Sequence, residues 1–391
     1  MESVEQNTDK RKSSTVATVE KNSAEANSDT KKDDTNDKRE ESNVTDKQSE
    51  SHNDKPEELN VAVKQLDSHN DKEPSHSGQK RKSSPDSDSL REKKRQRLDK
   101  KAKIHEIYEG LILPEHLMKE LDYPRQDPSG EHGRVKLYGN HFGFKEGYCK
   151  RCDKSFDTTF SRRTQCDFHL ERSKRYNGRQ QPHGCCGRSY GSRGCRTAPS
   201  HVHKGNLYQD LENYKVTEKK DNPTDKYTIY AVDTESVHTM KGIEVCRVTV
   251  VDRKLNVVYN EFCLPTTKVV DYNTIWSGIS EKDLQGVTKT FEDLREDMLK
   301  LFSADTILVG HGLSSDLIAM KIMHEKVIDT LYLYPHHRGW PLKRSLKDIA
   351  LSELGMRIQD GDGHDSAEDA IAAMKLVQKR VLPMIKRLKK E

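Results

Sequence analysis

Apolar and polar residues alternate along residues 227–234, 244–252 and 256–263, with Val, Ile, Tyr and Thr enriched, and this two-residue period predicts three strands. Arg253, Lys254 and Leu255 leave room only for a hairpin-like turn between the last two, so the three should open an antiparallel sheet. The period then lengthens. Phe291, Leu294, Met298, Leu299, Leu301 and Phe302 recur at helical spacing, which predicts an amphipathic helix over 290–302. The apolar run 306–310 reads as a buried parallel strand. A helix over 315–323, a short edge strand over 327–330, a helix over 345–354 closed by Gly355 and a last helix over 366–379 complete the pattern. The expected class is α/β, a mixed sheet with helices on its faces.

Upstream the pattern thins. Residues 114–121 predict one short helix, with Ile107, Leu111 and Leu113 as apolar anchors, and 206–226 read as a polar connector. The first 107 residues hold no Phe, Trp or Tyr and are dense in Lys, Glu, Asp, Ser and Asn. They cannot bury enough apolar surface to offset the entropy of ordering, so 1–103 is expected to be a disordered tail. The echoes of Ser51–Lys55 in Ser68–Lys72 and of Lys10–Ser14 in Lys80–Ser84 fit low-complexity drift better than structural repeats.

A net charge of +4 conceals segregation. Residues 79–103 carry 11 Lys and Arg against 4 Asp and Glu, and residues 145–205 carry 14 against 5, whereas 206–378 carry 21 against 28. An acidic body repels a polyanion unless cations neutralise its site, and the basic segments are natural holds for nucleic acid. The clusters Lys80–Lys82 and Lys93–Arg97 have the form of a bipartite nuclear import signal, which predicts a nuclear location and an import receptor as partner. Ser84 before Pro85 is a candidate phosphosite. No apolar run approaches the roughly 20 residues of a membrane span and no apolar signal core opens the chain, so an intracellular protein without membrane contact is expected.

Six of the eight cysteines fall within residues 149–195, which in such a chain argues for metal rather than disulfides. The run is Cys149-x2-Cys152-x13-Cys166-x2-His169-x15-Cys185-Cys186-x8-Cys195-x5-His201. Eight ligands fill two closed tetrahedral zinc sites of the structural kind. Which four share an ion stays open, and His183 and His203 compete for places. Gly184, Gly187, Gly191 and Gly194 permit tight turns between ligands. With its basic balance the module, residues 145–205, should bind RNA or protein. Phe156, Phe160, Phe168, Tyr176 and Tyr190 are available for packing or base stacking. The pattern resembles the CHORD type of two-zinc module.

Asp233 and Glu235, two apart in a strand, present two carboxylates on one side of the sheet. Side by side they repel unless a cation lies between them. If Asp316 and Asp369 converge on that edge, the four oxygens would hold a pair of hard divalent ions on the order of 4 Å apart, an arrangement suited to phosphodiester attack. His364, in a Gly- and Asp-rich loop ahead of a helix, is placed to deprotonate water. The plain alternatives are an acid in a helical first turn for Asp316 and a capping-box acid opposite Ser366 for Asp369.

The order Asp-x-Glu, Asp, His-x4-Asp resembles the DEDDh 3′→5′ exonucleases. The stretches Arg247–Asp252, Val270–Thr274 with Ser277-Gly-Ile, Val327–Thr330 and Leu333–His336 make it similar to the Rex-type RNA exonucleases over roughly 227–380. Ser236 stands where that family usually has Met, and Ile275 where Arg is common; neither is a catalytic position. The resemblance implies a ribonuclease H-like domain over 227–383, preceded by the zinc module and tail and followed by a basic tail over 384–391. It implies catalytic Asp233, Glu235, Asp316 and Asp369 holding two Mg²⁺ or Mn²⁺, with His364 as base. The substrate would be single-stranded RNA 3′ ends, released as nucleoside 5′-monophosphates. The competing expectations are a non-catalytic zinc-containing adaptor and a DNA exonuclease on the same fold.

Overall fold

The long strand Ile229–Thr239 organises the catalytic half. On one edge it pairs antiparallel with Gly242–Asp252, which pairs antiparallel with Val257–Phe262. On its other edge the parallel strand Ile307–Gly310 follows, with Val327–Asp329 parallel beyond it as the sheet's edge. The three-strand antiparallel start and the parallel continuation are those the period predicts. The first strand is longer, however. Asp233 and Glu235 lie in its middle rather than at its end, because pairing continues to Thr239 through a register shift between Glu235 and Ser236 that leaves Cys246 as the extra residue opposite.

The computed structural model describes residues 85–138, 147–157, 164–171, 173–203, 211–221, 227–339, 341–361 and 363–388. All belong to one of two compact units, Asp54–Glu391; the other, Met1–Asn53, lies outside the described residues, as do Lys80–Lys82, Ser84, Phe160 and the last three residues.

Each face of the sheet has its own core. Val232, Val248, Val250 and Leu308 point to one side and pack with Leu294, Met298, Phe302 and Leu317. Ala231, Val251, Ile307 and Val309 point to the other and pack with Ala370, Ala373, Met374 and Val377 of the helix Ser366–Leu388. That helix runs nine residues beyond the predicted end and absorbs the start of the expected basic tail, because Val381 before its internal Pro383 and Ile385 after it both stay buried. The helix Phe291–Leu301 begins as predicted, with Thr290 and Asp293 forming a capping box. The helix expected over 315–323 stops at Ala319. Lys321 turns left-handed, with φ 52°, and Ile322–Met323 pairs as a strand with Lys215–Val216.

Two segments read as unstructured are built into this body. Part of the connector 206–226 supplies that Lys215–Val216 strand, buries Tyr214 and bonds Thr217 Oγ1 to His324 Nδ1 at 2.8 Å. The expected tail is helical from Pro85 to Glu109. Residues 89–100 are almost all exposed and rich in Lys and Arg, good helix formers, and Ile104 and Tyr108 anchor the helix's end against the Ser366–Leu388 helix. The short helix at Glu115–Glu120 follows, and Met118 and Tyr123 enter the main core. Tyr108→Ala should therefore cost about 3–5 kcal/mol in thermal unfolding. Leu98→Ala, on the exposed part of the same helix, should cost less than about 0.5 kcal/mol.

Candidate active site and metal centres

The central strand's free edge is shared by two partners with a gap between them. Ile307–Gly310 pairs with residues 229–231 and Val269–Asp271 with His238 and Thr239. Where the sheet parts, the helix Ser314–Ala319 comes in instead: Asp316 Oδ1 accepts from the Thr234 amide at 3.0 Å and its hydroxyl at 2.7 Å. Asp316 thus faces the strand and is more than a helix-end acid. Asp233 and Glu235 share the face of Ala231, the face covered by the helix that carries Asp369.

Asp369 is held by Gln359, whose Nε2 donates to Oδ1 at 3.0 Å and Oδ2 at 2.8 Å. The capping-box alternative fails, since Asp365 Oδ1 accepts the Ala367 amide and Ser366 Oγ bonds Thr249 Oγ1 at 2.7 Å in the core. His364 Nδ1 lies 3.5 Å from Asp369 Oδ2. The His364 amide donates to the Trp276 carbonyl at 3.1 Å, which backs the loop against the turn Thr274–Ser277. That turn ends at Gly278, φ 65°, where a Cβ would come within 2.3 Å of the His364 carbonyl oxygen. All five residues singled out from the sequence are brought to one place.

Burial and mutual repulsion set the electrostatics. Burial pushes the Asp233 carboxyl well above its usual range, helped by the charges of Asp316, Asp369 and Glu235 and opposed by Arg247. Glu235 is pushed up to about 9 by burial and then Asp369, again against Arg247. Burial raises Asp316 to about 7 despite its Thr234 bonds, and Asp369 to about 6 despite Gln359. Burial, then Lys347, holds His364 below the ordinary imidazole value. Among the described residues, Glu235 Oε1 is buried with no hydrogen-bond partner. A buried acceptor without a donor, among four acids driven toward neutrality, is what a divalent cation relieves, and an all-oxygen donor set suits Mg²⁺ or Mn²⁺. The residues fit such ions.

Thr234, Arg247 and Gln359 went unrecognised as site residues in the sequence. Arg247 sits opposite Glu235 in register, a signal that pairing the two strands would have found. Gln359 reaches Asp369 from a left-handed position, φ 57°, and no pattern marks it.

The eight Cys and His ligands sort into two tetrads. Cys149, Cys152, Cys166 and His201 form one, and His169, Cys185, Cys186 and Cys195 the other, the ligand atoms of each lying within 4.8 Å of one another. In the first, the Cys149 and Cys166 sulfurs are 3.6 Å apart and Cys152 Sγ is 3.3 Å from His201 Nδ1. The Cys149 thiol is held low chiefly by the bond from Cys166. In the second, His169 Nδ1 is 3.4 Å from Cys186 Sγ. His169 Nε2 lies 3.2 Å from the Ser192 carbonyl, an acceptor, so it carries the proton and leaves Nδ1 for a metal. His183 stacks on the His169 ring with centroids 3.5 Å apart, and its Nδ1 goes to the Glu171 carbonyl. Neither His183 nor His203 joins a tetrad. Phe168 is buried beside the first tetrad, whereas Tyr176 and Tyr190 are exposed.

A mixed sheet that gathers Asp-x-Glu, Asp and His-x4-Asp at the parting of its central strand defines the DEDD exonuclease class. The chain is 35% identical to RNA exonuclease 3 of Eremothecium gossypii over 294 residues, 72% of this chain and 73% of that protein. It is 38% identical to exonuclease GOR of Pan troglodytes over 293 residues, and to the human RNA exonuclease 1 homolog over 290. The chain belongs to this RNA exonuclease family. Of the latter two it spans only 42% and 24% of their lengths. No family model matches. The Neurospora crassa Pan2 catalytic unit (protease and nuclease domain) aligns at 20% identity and a TM-score of 0.38, covering 58% of this chain and 46% of that one, too loosely to argue from. No helix among the described residues is long and apolar enough to cross a membrane.

Proposed function

We propose that the protein is a 3′→5′ exoribonuclease that removes nucleoside 5′-monophosphates from single-stranded RNA ends. The observation that carries this is Glu235 Oε1, buried without a donor among the described residues, in a cluster of four acids beside His364. Asp233, Glu235, Asp316 and Asp369 would hold two Mg²⁺ or Mn²⁺ ions. When bound, these supply Lewis-acid stabilisation of the charge that develops on the phosphodiester. The chain's own residues do the rest. Gln359 and Thr234 fix the carboxylates of Asp369 and Asp316. His364, with Nδ1 toward Asp369, takes the proton of the attacking water at Nε2. Its depressed pKa keeps the ring neutral, and so a base, at neutral pH.

The family of the relatives supports RNA as substrate. The two Cys/His tetrads would take one structural zinc each and serve as a basic RNA- or protein-binding module. Lys93–Arg97, on an exposed helix, and Lys80–Lys82 would together bind an import receptor and direct the protein to the nucleus.

The test is degradation of end-labelled RNA and of DNA of the same sequence in Mg²⁺, repeated with EDTA. RNA should be shortened from the 3′ end, DNA slowly, and neither with EDTA. RNA bound but uncut would leave an adaptor; DNA cut faster would move the substrate class. His364→Ala should lower kcat by about 10²–10⁴-fold with RNA affinity near normal. In the wild type kcat/KM should rise with pH through a pKa lowered from the ordinary imidazole value, a limb the variant lacks.

A further inference from the structure

Arg151 lies in the chain between two ligands of the first tetrad, Cys149 and Cys152, yet its side chain leaves the module. Its Nη1 and Nη2 donate to Asp271 Oδ2 and Oδ1 at 2.8 and 2.9 Å, and Nη2 reaches Asn273 Oδ1 at 3.3 Å. Both partners of this forked pair are nearly buried, at 8% and 13% exposure, so it is more than a surface ion pair. The guanidinium also stacks on the rings of Phe168 and Trp276, 5.1 and 5.5 Å from their centroids. Arg151's own amide donates to Cys149 Sγ at 3.4 Å, so the turn that would close round a metal also aims this arm.

On the body side the contacts run straight to the candidate base. Asp271 Oδ1 accepts the Asn273 amide at 2.7 Å, and Asn273, left-handed at φ 58°, opens the Thr274–Ser277 turn. The Trp276 carbonyl holds the His364 amide. Gly278 and Gly363 touch through their backbones: a Cβ on Gly363 would lie 2.4 Å from Gly278 Cα. The turn therefore cannot tilt without carrying the His364 loop along.

We propose that Arg151 is a positioning residue for His364, through which the Cys149–Cys152 turn, Asp271 and Trp276 set where the base stands. This rests on His364 being the base. A displacement on the order of 1 Å at such a group can cost about 10²-fold in rate.

The test uses the full chain with a short single-stranded RNA in Mg²⁺, comparing Arg151→Ala, Arg151→Lys, Asp271→Asn and the exchanged pair Arg151→Asp with Asp271→Arg. Metal content is measured alongside, with amide hydrogen exchange of peptides covering 274–279 and 363–366. Arg151→Ala and Asp271→Asn should each lower kcat about 10- to 100-fold with KM within about twofold. Metal content should be unchanged and exchange should quicken in those two peptides. Arg151→Lys should fall between, and the exchanged pair should recover part of the rate. Wild-type kcat and exchange in both Arg151→Ala and Asp271→Asn would overturn the proposal. So would loss of metal and exchange throughout the module in both, which would make the arm a brace of the module alone. His364→Ala separates the two ideas. Full turnover there removes the base assignment, while the exchange of residues 363–366 in Arg151→Ala still decides whether the arm holds the loop.

Discussion

Asp233→Asn is expected to lower RNA turnover on the order of 10³-fold while making the metal-free protein more resistant to heat at pH 8. The two effects share a cause. In the fold without cations Asp233, Glu235, Asp316 and Asp369 all have carboxyl pKa values raised by burial, so the folded chain binds protons more tightly than the unfolded one. Stability from this source is complete below about pH 4, where both states are protonated. It is lost as pH rises through about 6 for Asp369, 7 for Asp316 and 9 for Glu235. Asn at 233 needs no proton uptake on folding at pH 8 and can place no charge beside the other three acids, which should stabilise by on the order of 1–2 kcal/mol. The same logic sets the response to ions: Mg²⁺ should raise the wild-type Tm more at pH 8.5 than at pH 5.5. Calorimetry in EDTA and in Mg²⁺ at both pH values checks this. A variant less stable than wild type in EDTA at pH 8 would mean that the cluster is not strained by its own charge.

Cys166→Ser is the second large effect. Cys166 is fully buried in the first tetrad, and its strand Cys166–Phe168 pairs with Arg196–Ala198 to close the module. The local core holds little besides Phe168, Ala198 and Val202, so a metal bound in each tetrad would supply most of its folding energy, on the order of 10 kcal/mol per site. Elemental analysis should fall from two zinc ions to one, and stability by at least about 3 kcal/mol. Cys246→Ser is the control: that cysteine is equally buried but sits in the sheet beside Glu235, where it donates to the Glu235 carbonyl, and zinc content should not change. Two ions retained in Cys166→Ser would remove the tetrad assignment.

What the sequence made legible follows from the range of the interactions involved. The helix Phe291–Leu301 buries one face, and the antiparallel strands are dense in β-branched residues and joined by short turns, so their signals are local and readable. The acidic pair 233 and 235 was readable for the same reason. The strand's continuation to Thr239 was not, because Val237, His238 and Thr239 are buried in succession and the alternation that marks a strand stops there. The helix over 85–109 has almost no apolar stripe; Ile104 and Tyr108 reach residues of the last helix, more than 260 positions away. The end of the Ser314–Ala319 helix was set by Lys215–Val216, a pairing that is also far from local. Ligand pairing in the tetrads was illegible in principle, since Cys166 and His169, three residues apart, serve different sites.

That division has a kinetic consequence. All four ligands of the second tetrad, residues 169–195, fall between Cys166 and His201 of the first, so one site is nested inside the loop that the other must close. Closing the outer site alone means joining ends 35 positions apart. Once the inner site is tied, the free chain left in that loop shrinks to its few residues at either end, and closure becomes easier by roughly 1 kcal/mol. Loading should thus be ordered, inner ion before outer. The outer turn, which carries Arg151 toward the His364 loop, would be the last part of the module to set.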